Sequence, residues 1–178
     1  MRTVRAITVA AVLSLLGLLV WDVVHSNGGQ VARQVDEGKI VTAPVFSLSR
    51  VSGEGKISLA ALRGKVVVLN FWASDCVPCK QEQAMLNAAA QHWASRGVVF
   101  LGVDEVDLRG PATTYMKHYR VAYESAYDGV GVLAGKYGVT GTPETFFIDR
   151  HGRVVPPHIV ANTERTDIDA GIQRALRA

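Results

Sequence analysis

Two cysteines, Cys76 and Cys79, are the residues whose type and spacing could do chemistry in this sequence. They are the only cysteines among 178 residues, and two residues separate them. The apolar run 66–69 ahead of them predicts a buried strand, and apolar residues recur at helical spacing after Cys76. Two thiols at this spacing can close a short disulfide across the first turn of a helix. The pattern therefore predicts thiol–disulfide chemistry.

Metal and haem chemistry are the alternatives for such a pair. A zinc site would need two further ligands, and attachment of a c-type haem would need a histidine where Lys80 stands. Two thiolates suit Cu(I), so copper handling or oxidase copper-site assembly stays open as an alternative function. The histidines are scattered without ligand spacing: His25, His92, His118, His151 and His158. We predict no metal site and no cofactor beyond the redox-active Cys76–Cys79 pair.

Composition places the chain among ordinary globular proteins with one domain. It has 48% hydrophobic and 20% charged residues, and its formal net charge is +3. Such a small charge, carried by scattered basic residues, gives no indication of nucleic-acid binding.

The first 24 residues differ from the rest of the chain. Arg2 and Arg5 precede an apolar stretch, residues 6–24, that would span roughly 28 Å as a helix, close to the ~30 Å of a bilayer core. We predict an uncleaved membrane anchor, with a cleaved export signal as the alternative. The positive-inside rule then places the rest of the chain on the extracytoplasmic, periplasmic side. An exported domain without dispersed cysteines uses its single pair for catalysis rather than for structural stability.

Sequence patterns divide the remaining chain into a linker and one domain. Residues 25–42 lack sustained periodicity and predict a linker, with a helix over residues 30–39 as the alternative. The domain is predicted to cover residues 43–178. Its predicted elements are a hairpin (44–48 and 56–59), a strand (66–71), a helix (to about 95), a strand (98–103), a helix (to about 119), a strand (within 121–127), a helix (130–137), a hairpin (145–148 and 153–155) and a helix (166–177).

This order of elements resembles the thioredoxin fold. Two stretches carry a closer resemblance: residues 59–74, LAALRGKVVVLNFWAS, and residues 137–149, YGVTGTPETFFID. They look like the membrane-anchored extracytoplasmic thioredoxins of the TlpA, ResA and DsbE/CcmG type, over roughly residues 43–177. The resemblance implies an α/β thioredoxin-like fold, a central mixed sheet flanked by helices, with an added N-terminal β-hairpin.

The same resemblance implies a function. Proteins of this type are usually reductants of disulfides in partner proteins, and a membrane thiol reductant keeps them reduced. Many serve cytochrome c maturation, where apocytochrome c is the substrate. The resemblance, and not the spacing, favours a reductant over the alternative of a disulfide-forming oxidant.

Roles for the dithiol follow from its place at a helix start. The unpaired N–H groups and the dipole of the helix favour a thiolate at Cys76, which makes Cys76 the nucleophile. Cys79, more buried one turn later, is the resolving thiol. Pro78 limits the freedom of the loop and lacks an N–H that the helix start does not need.

Further site residues are implied by the resemblance. The proline matching Pro143 is cis and faces the dithiol, which exposes the backbone of Thr142 for pairing with an extended substrate. Thr142, Pro78 and Trp72 are thus expected in the substrate-binding surface, with packing beneath the site as the favoured role of Trp72. Glu144 resembles an active-site acid that could shuttle the Cys79 proton with a raised pKa, or else points outward as a surface residue.

Two positions depart from related patterns. Asp75 stands before the first cysteine, where the family usually has tryptophan, and we predict that its carboxylate raises the pKa of the Cys76 thiol. The alternative is an Asp75 turned into solvent with little effect. Asn70 occupies the position of a buried aspartate in cytoplasmic thioredoxins, which leaves the proton acceptor unassigned.

Overall fold

The computed structural model describes residues 14–17, 30–161 and 163–178. Residues 14–17 are helical. The rest of the predicted membrane anchor, residues 1–13 and 18–24, lies outside the described residues. Within the described ranges, no helix is both long enough and apolar enough to cross a membrane.

Six strands form one mixed sheet in the order β1–β8–β7–β4–β5–β6. Their bounds are β1 Val41–Thr42, β4 Val66–Trp72, β5 Val98–Glu105, β6 Glu124–Asp128, β7 Glu144–Ile148 and β8 Arg153–Val160. Strands β4, β5 and β6 are parallel, whereas β7 and β8 join antiparallel. The predicted hairpin forms a separate two-stranded sheet, β2 Ser47–Ser49 with β3 Lys56–Ser58.

Five helices cover the sheet on both faces. They are α1 Gln30–Asp36, α2 Val77–Trp93, α3 Arg109–His118, α4 Val132–Tyr137 and α5 Arg165–Arg177. Helices α1 and α4 pack on one face, and α2, α3 and α5 pack on the other. All seven residues of β4 are consequently buried, which explains why this strand is a nearly continuous apolar run.

Part of the segment favoured as a linker is structured. Helix α1 buries Val31, Ala32 and Val35 against the sheet, and β1 pairs with β8. The alternative expectation, a helix within residues 30–39, is the one the structure shows. Seven residues give only two helical turns of periodicity, so the pattern is too short to stand out in the sequence.

The loops that carry the candidate site residues lie along one edge of the sheet. The parallel strands β4 and β5 end there at Trp72 and Glu105, and antiparallel β7 begins there because Glu144 pairs with Phe71. The loops 73–76, 106–108 and 140–143 therefore lie along the same edge. The carboxyl ends of parallel strands commonly form the ligand-binding edge of such sheets.

Candidate active site

The dithiol lies where β4 passes into α2. Cys76 is the N-cap residue of α2, and its Sγ accepts a hydrogen bond from the backbone N–H of Cys79 at 3.1 Å. A disulfide joins the two residues. Cys79 is 1% exposed, while Cys76 is only half-buried. The geometry fits the predicted roles, since the accessible sulfur of Cys76 lies at the helix N-terminus. In the reduced protein it can attack a substrate disulfide, and in the oxidised protein it can be attacked by a thiolate.

Trp72 supports the dithiol from below. Its side chain is 2% exposed, packs in one cluster with Cys79, and stacks on Tyr115 with ring centroids 4.5 Å apart. Its Nε1 donates to the Ser125 hydroxyl at 3.3 Å. The expected packing role is confirmed. Neighbouring side chains enclose the ring, and a role of Trp72 in substrate binding stays a prediction.

Glu82 is a buried acid that the sequence analysis did not single out. It follows Cys79 by three residues in α2, a spacing that places two side chains on the same side of a helix. Its side chain accepts a hydrogen bond from Asn70 Nδ2 at 3.1 Å, and within the described ranges Oε2 has no partner. Burial raises the pKa of Glu82 to about 7, although interactions with the Thr163 hydroxyl and the Asn70 amide oppose the shift. The spacing from Cys79 was the available sequence signal.

The position of Glu82 makes it a candidate for the proton acceptor that Asn70 left unassigned. Asn70 is itself buried and donates to both Glu82 and Thr145. The amide holds the Glu82 carboxyl in place on the face of the sheet that carries Cys79. A carboxyl that exchanges its proton near neutral pH can take a proton from a thiol and return it.

A pair of acidic residues, Asp104 and Asp107, borders the loop that leads into Cys76. Asp107 accepts hydrogen bonds from the backbone N–H of Ser74 at 2.8 Å and of Leu108 at 2.6 Å. Burial opposes ionisation of Asp107, but these bonds hold its pKa below the usual value. Asp104 is fully buried, and burial together with the Asp107 charge raises its pKa to about 8. Asp107 thus fixes the loop, while Asp104 beside it is protonated at neutral pH.

Asp75 lies in the same loop with its side chain exposed. Its predicted effect on the pKa of Cys76 stays a prediction. Pro78 is half-buried in the first turn of α2.

The Thr142–Pro143 peptide is cis, as expected. Pro143 is buried, and its carbonyl accepts a hydrogen bond from the N–H of Ala161 at 3.0 Å. Thr142 remains half-buried. The two residues precede Glu144, the first residue of β7, and lie at the sheet edge where β4 leads to the dithiol.

Glu144 corrects both sequence expectations. It is 1% exposed, so it is not a surface residue. It pairs with Phe71, whose side chain packs with α1 and α4, so Glu144 lies on the face opposite Cys79. Burial opposes ionisation, but hydrogen bonds from His158 and Thr140 outweigh it and lower the pKa of Glu144. The expected raised pKa is wrong, because the carboxylate is fully hydrogen-bonded.

His158, which the sequence analysis set aside, is the main partner of Glu144. Its Nε2 lies 2.8 Å from Glu144 Oε2. No local spacing links residues 144 and 158, so only the pairing of β7 with β8 could have revealed the contact. Within the described ranges, no group of three or more His, Cys, Asp or Glu residues is placed to hold a metal ion.

Comparison with known proteins places this geometry in a family. Residues 41–156, about two thirds of the chain, match the AhpC/TSA family. The chain belongs to the AhpC/TSA family. The thiol-disulfide oxidoreductase ResA of Bacillus cereus is 30% identical over 132 residues, which cover 74% of this chain and 75% of that protein.

Two further relatives carry similar names. The thiol:disulfide interchange protein DsbE of Pseudomonas fluorescens is 36% identical over 110 residues, 61% of this chain and 60% of that protein. A crystal structure of a thiol:disulfide interchange protein of the thioredoxin family from Chlorobium tepidum superposes with a TM-score of 0.68 and 31% identity. That superposition covers 77% of this chain and 97% of the other. This AhpC/TSA member is therefore a thiol-disulfide oxidoreductase with a thioredoxin-like fold, as the sequence resemblance implied.

Proposed function

We propose that this oxidoreductase reduces disulfides in partner proteins on the extracytoplasmic side of a membrane, in the maturation of c-type cytochromes. The observation that carries the proposal is the pairing of a half-exposed Cys76 at a helix N-terminus with a buried Cys79 beside the acid Glu82. Residues 6–24 would tether the domain to the membrane. Similarity to ResA and DsbE supports the assignment.

The first step uses the accessible sulfur. In the reduced protein, the Cys76 thiolate attacks one sulfur of a substrate disulfide, and the other substrate sulfur leaves as a thiolate that takes up a proton. A mixed disulfide between Cys76 and the substrate results. The backbone of Thr142, next to Pro143 at the same sheet edge, can pair with the extended substrate chain as an added strand.

The second step uses the buried sulfur. Glu82 accepts the proton of the Cys79 thiol, and the Cys79 thiolate attacks Cys76 Sγ. The second substrate thiol is released, and the protein is left with the Cys76–Cys79 disulfide. A membrane thiol reductant would then return two electrons and two protons to the pair.

Trapping of the mixed disulfide tests this function. The full chain carrying Cys79→Ser, expressed in its own cells in place of the wild type, lacks the resolving thiol and should accumulate disulfide-linked adducts. Adducts resolved on non-reducing gels and identified by mass spectrometry should contain apocytochrome c linked through its haem-attachment cysteines.

The matched control is Cys76→Ser, which keeps a cysteine but loses the nucleophile and should give no such adduct. Recovery of copper-site assembly proteins instead would contradict the role in cytochrome maturation. Recovery of cytoplasmic proteins alone would contradict the proposed topology.

A further inference from the structure

His158 lies between two carboxylates that belong to different elements. Its Nε2 is 2.8 Å from Glu144 Oε2 on β7, and its Nδ1 is 3.1 Å from Asp36 Oδ1 at the end of α1. The His158 side chain is 4% exposed, and its ring stacks on Phe146 with centroids 4.3 Å apart. The imidazole is thus held from both edges and from one ring face.

Counting donors gives the protonation state of this ring. A neutral imidazole has one N–H, whereas an ionised carboxylate only accepts hydrogen bonds. Both contacts of His158 are satisfied together only when both ring nitrogens carry a proton. The arrangement is therefore an imidazolium between Asp36 and Glu144, which also gives the buried Glu144 charge a counter-charge.

The other oxygen of Glu144 holds the loop that ends in Pro143. Oε1 accepts hydrogen bonds from Thr140 N at 2.8 Å, Thr140 Oγ1 at 3.0 Å and Gly141 N at 3.2 Å. One oxygen of this carboxylate is thus used by His158 and the other by the loop. Any rotation of the carboxylate that followed loss of the His158 contact would also loosen the loop.

We propose that His158 is a positioning residue, whose imidazolium orients Glu144 and thereby the loop 140–143, and which links helix α1 to that loop through Asp36. The inference rests on the proposed function, in which this loop receives the substrate chain. His158 contacts neither substrate nor sulfur in this account. Its effect is on binding of an extended substrate rather than on the reactivity of the dithiol.

The charges around His158 fix the direction of its pH dependence. Arg33 and Asp36 lie on α1, Glu144 on β7, and Glu105 on β5, whose own carboxyl senses the Glu144 charge. Glu37 follows α1 in the same region, but its carboxylate pairs with Lys39. Burial opposes protonation, but Glu144 and Asp36 outweigh it and raise the pKa of His158. The positioning effect is therefore present below this raised pKa and is lost as pH rises through it.

The kinetic test compares two substrates of the full chain, with dithiothreitol as reductant. A peptide with one intramolecular disulfide needs the loop, whereas hydroxyethyl disulfide is too small to pair with it. In His158→Gln, kcat/KM for the peptide should fall about tenfold relative to that for hydroxyethyl disulfide, mainly through KM. Asp36→Asn, at an exposed position, should lower the same ratio less. Glu37→Gln is the matched control, because its exposed carboxylate pairs with Lys39 instead.

The pH dependence of the two kcat/KM values distinguishes a positioning role of His158 from a merely structural role, which would not change it. The ratio of the two kcat/KM values should decline in the wild type as pH rises through the His158 pKa, and it should be flat in His158→Gln. The His158 ring protons, assigned in NMR spectra by their absence from His158→Gln, should titrate above the usual pKa of ~6.5, and lower in Asp36→Asn.

Three outcomes would overturn the inference. The first is an unchanged ratio in both variants while the wild type reduces the peptide, which leaves the proposed function intact. The second is a His158 that titrates at or below ~6.5. The third is a wild type that reduces hydroxyethyl disulfide but not the peptide, which refutes the proposed function and the inference with it. If His158→Gln does not fold, Asp36→Asn decides the first, and sequential NMR assignment of the His158 ring in the wild type decides the second.

Discussion

Two buried carboxyl groups near the dithiol, Glu82 and Asp104, keep their protons to unusually high pH. The cause is the same in both, since burial removes the water that would solvate a carboxylate. Burial raises the pKa of Glu82 to about 7 and that of Asp104 to about 8. Their surroundings give them different uses, because Glu82 shares a helix face with Cys79 and Asp104 adjoins the acid that holds the loop before Cys76.

Replacing Glu82 tests its role as proton acceptor. In Glu82→Gln, the Cys79 thiol has no carboxylate to take its proton, so release of substrate from the mixed disulfide should slow about 100-fold at neutral pH. Rapid-mixing kinetics with a disulfide peptide measures this step, and the wild-type rate should rise with pH around 7 while the variant lacks that rise. Glu54→Gln, an exposed acid on another loop, is the control. Equal resolution rates in Glu82→Gln and the wild type would remove Glu82 from the mechanism.

Replacing Asp104 tests the cost of its burial. A carboxyl with a raised folded-state pKa contributes stability at low pH that is lost as pH rises through that pKa. The free energy of unfolding of the wild type should therefore decline between pH of about 4 and about 8. Asp104→Asn should reduce this decline to the part that Glu82 causes and stabilise the protein by up to about 6 kcal/mol at pH near 9. Urea unfolding across this pH range measures the effect, and parallel pH profiles for the two proteins would show that Asp104 is not the cause.

Asp75 is predicted to act on Cys76 by charge. At about 6 Å and an effective dielectric of about 20, its carboxylate opposes a Cys76 thiolate by roughly 2.8 kcal/mol before screening. After screening, Asp75→Asn should lower the pKa of the Cys76 thiol by about one unit. The pH dependence of Cys76 alkylation in the reduced protein gives this pKa. An equal or higher value in Asp75→Asn would mean that the exposed side chain is solvated without effect.

At the scale of elements, the long strands and helices were predictable and their partners were not. Continuous apolar residues predicted β4. The helices predicted to end at about residue 95 and at residue 137 are followed by Gly97 and Gly138, both with positive φ. Helix α1 was hidden by its length, because two turns show too little periodicity. Helix α1 is stabilised by packing against the sheet, and a local sequence pattern does not show such packing.

Strand β5 can be tested at Gly102, where the backbone must approach Trp72 closely. A Cβ atom there would lie 2.2 Å from Ser125 Oγ and 2.7 Å from Trp72 Nε1, so both groups would have to move. Gly102→Ala should destabilise the domain by about 2 kcal/mol, through overpacking and loss of the Trp72–Ser125 hydrogen bond. Chemical denaturation followed by Trp fluorescence measures the change.

The matched control for that substitution is Gly110→Ala in α3. A Cβ atom at Gly110 meets nothing within 4 Å, and alanine favours a helix over glycine by about 0.5–1 kcal/mol. Gly110→Ala should therefore be neutral or stabilising. Equal effects of the two substitutions would show that the Gly102 contact is not tight in solution.

For the whole molecule, the sheet separates two kinds of acid that the sequence could not distinguish. The resemblance assigned Glu144 to the active-site region, whereas Glu82 was not singled out from the sequence. Strand register places Glu144 opposite Phe71 on the α1 and α4 face, while the helix spacing places Glu82 on the Cys79 face. The sequence motifs predicted the dithiol and the proline loop, because both are local. The contacts of Glu144 with His158 and of Asp104 with Asp107 depend on register and face, and no local pattern contains them.

The reduction potential of the Cys76–Cys79 pair tests the central claim, that the molecule is a reductant. Destabilising a thiolate at Cys76 favours the disulfide, and the neighbouring carboxylates of Asp75 and Asp107 are predicted to act in that direction. Equilibration of the full chain with dithiothreitol buffers at neutral pH, followed by alkylation and mass spectrometry, gives the potential. The account predicts a value near or below about −270 mV, that of thioredoxin. A value near about −120 mV, typical of strong thiol oxidants, would contradict it.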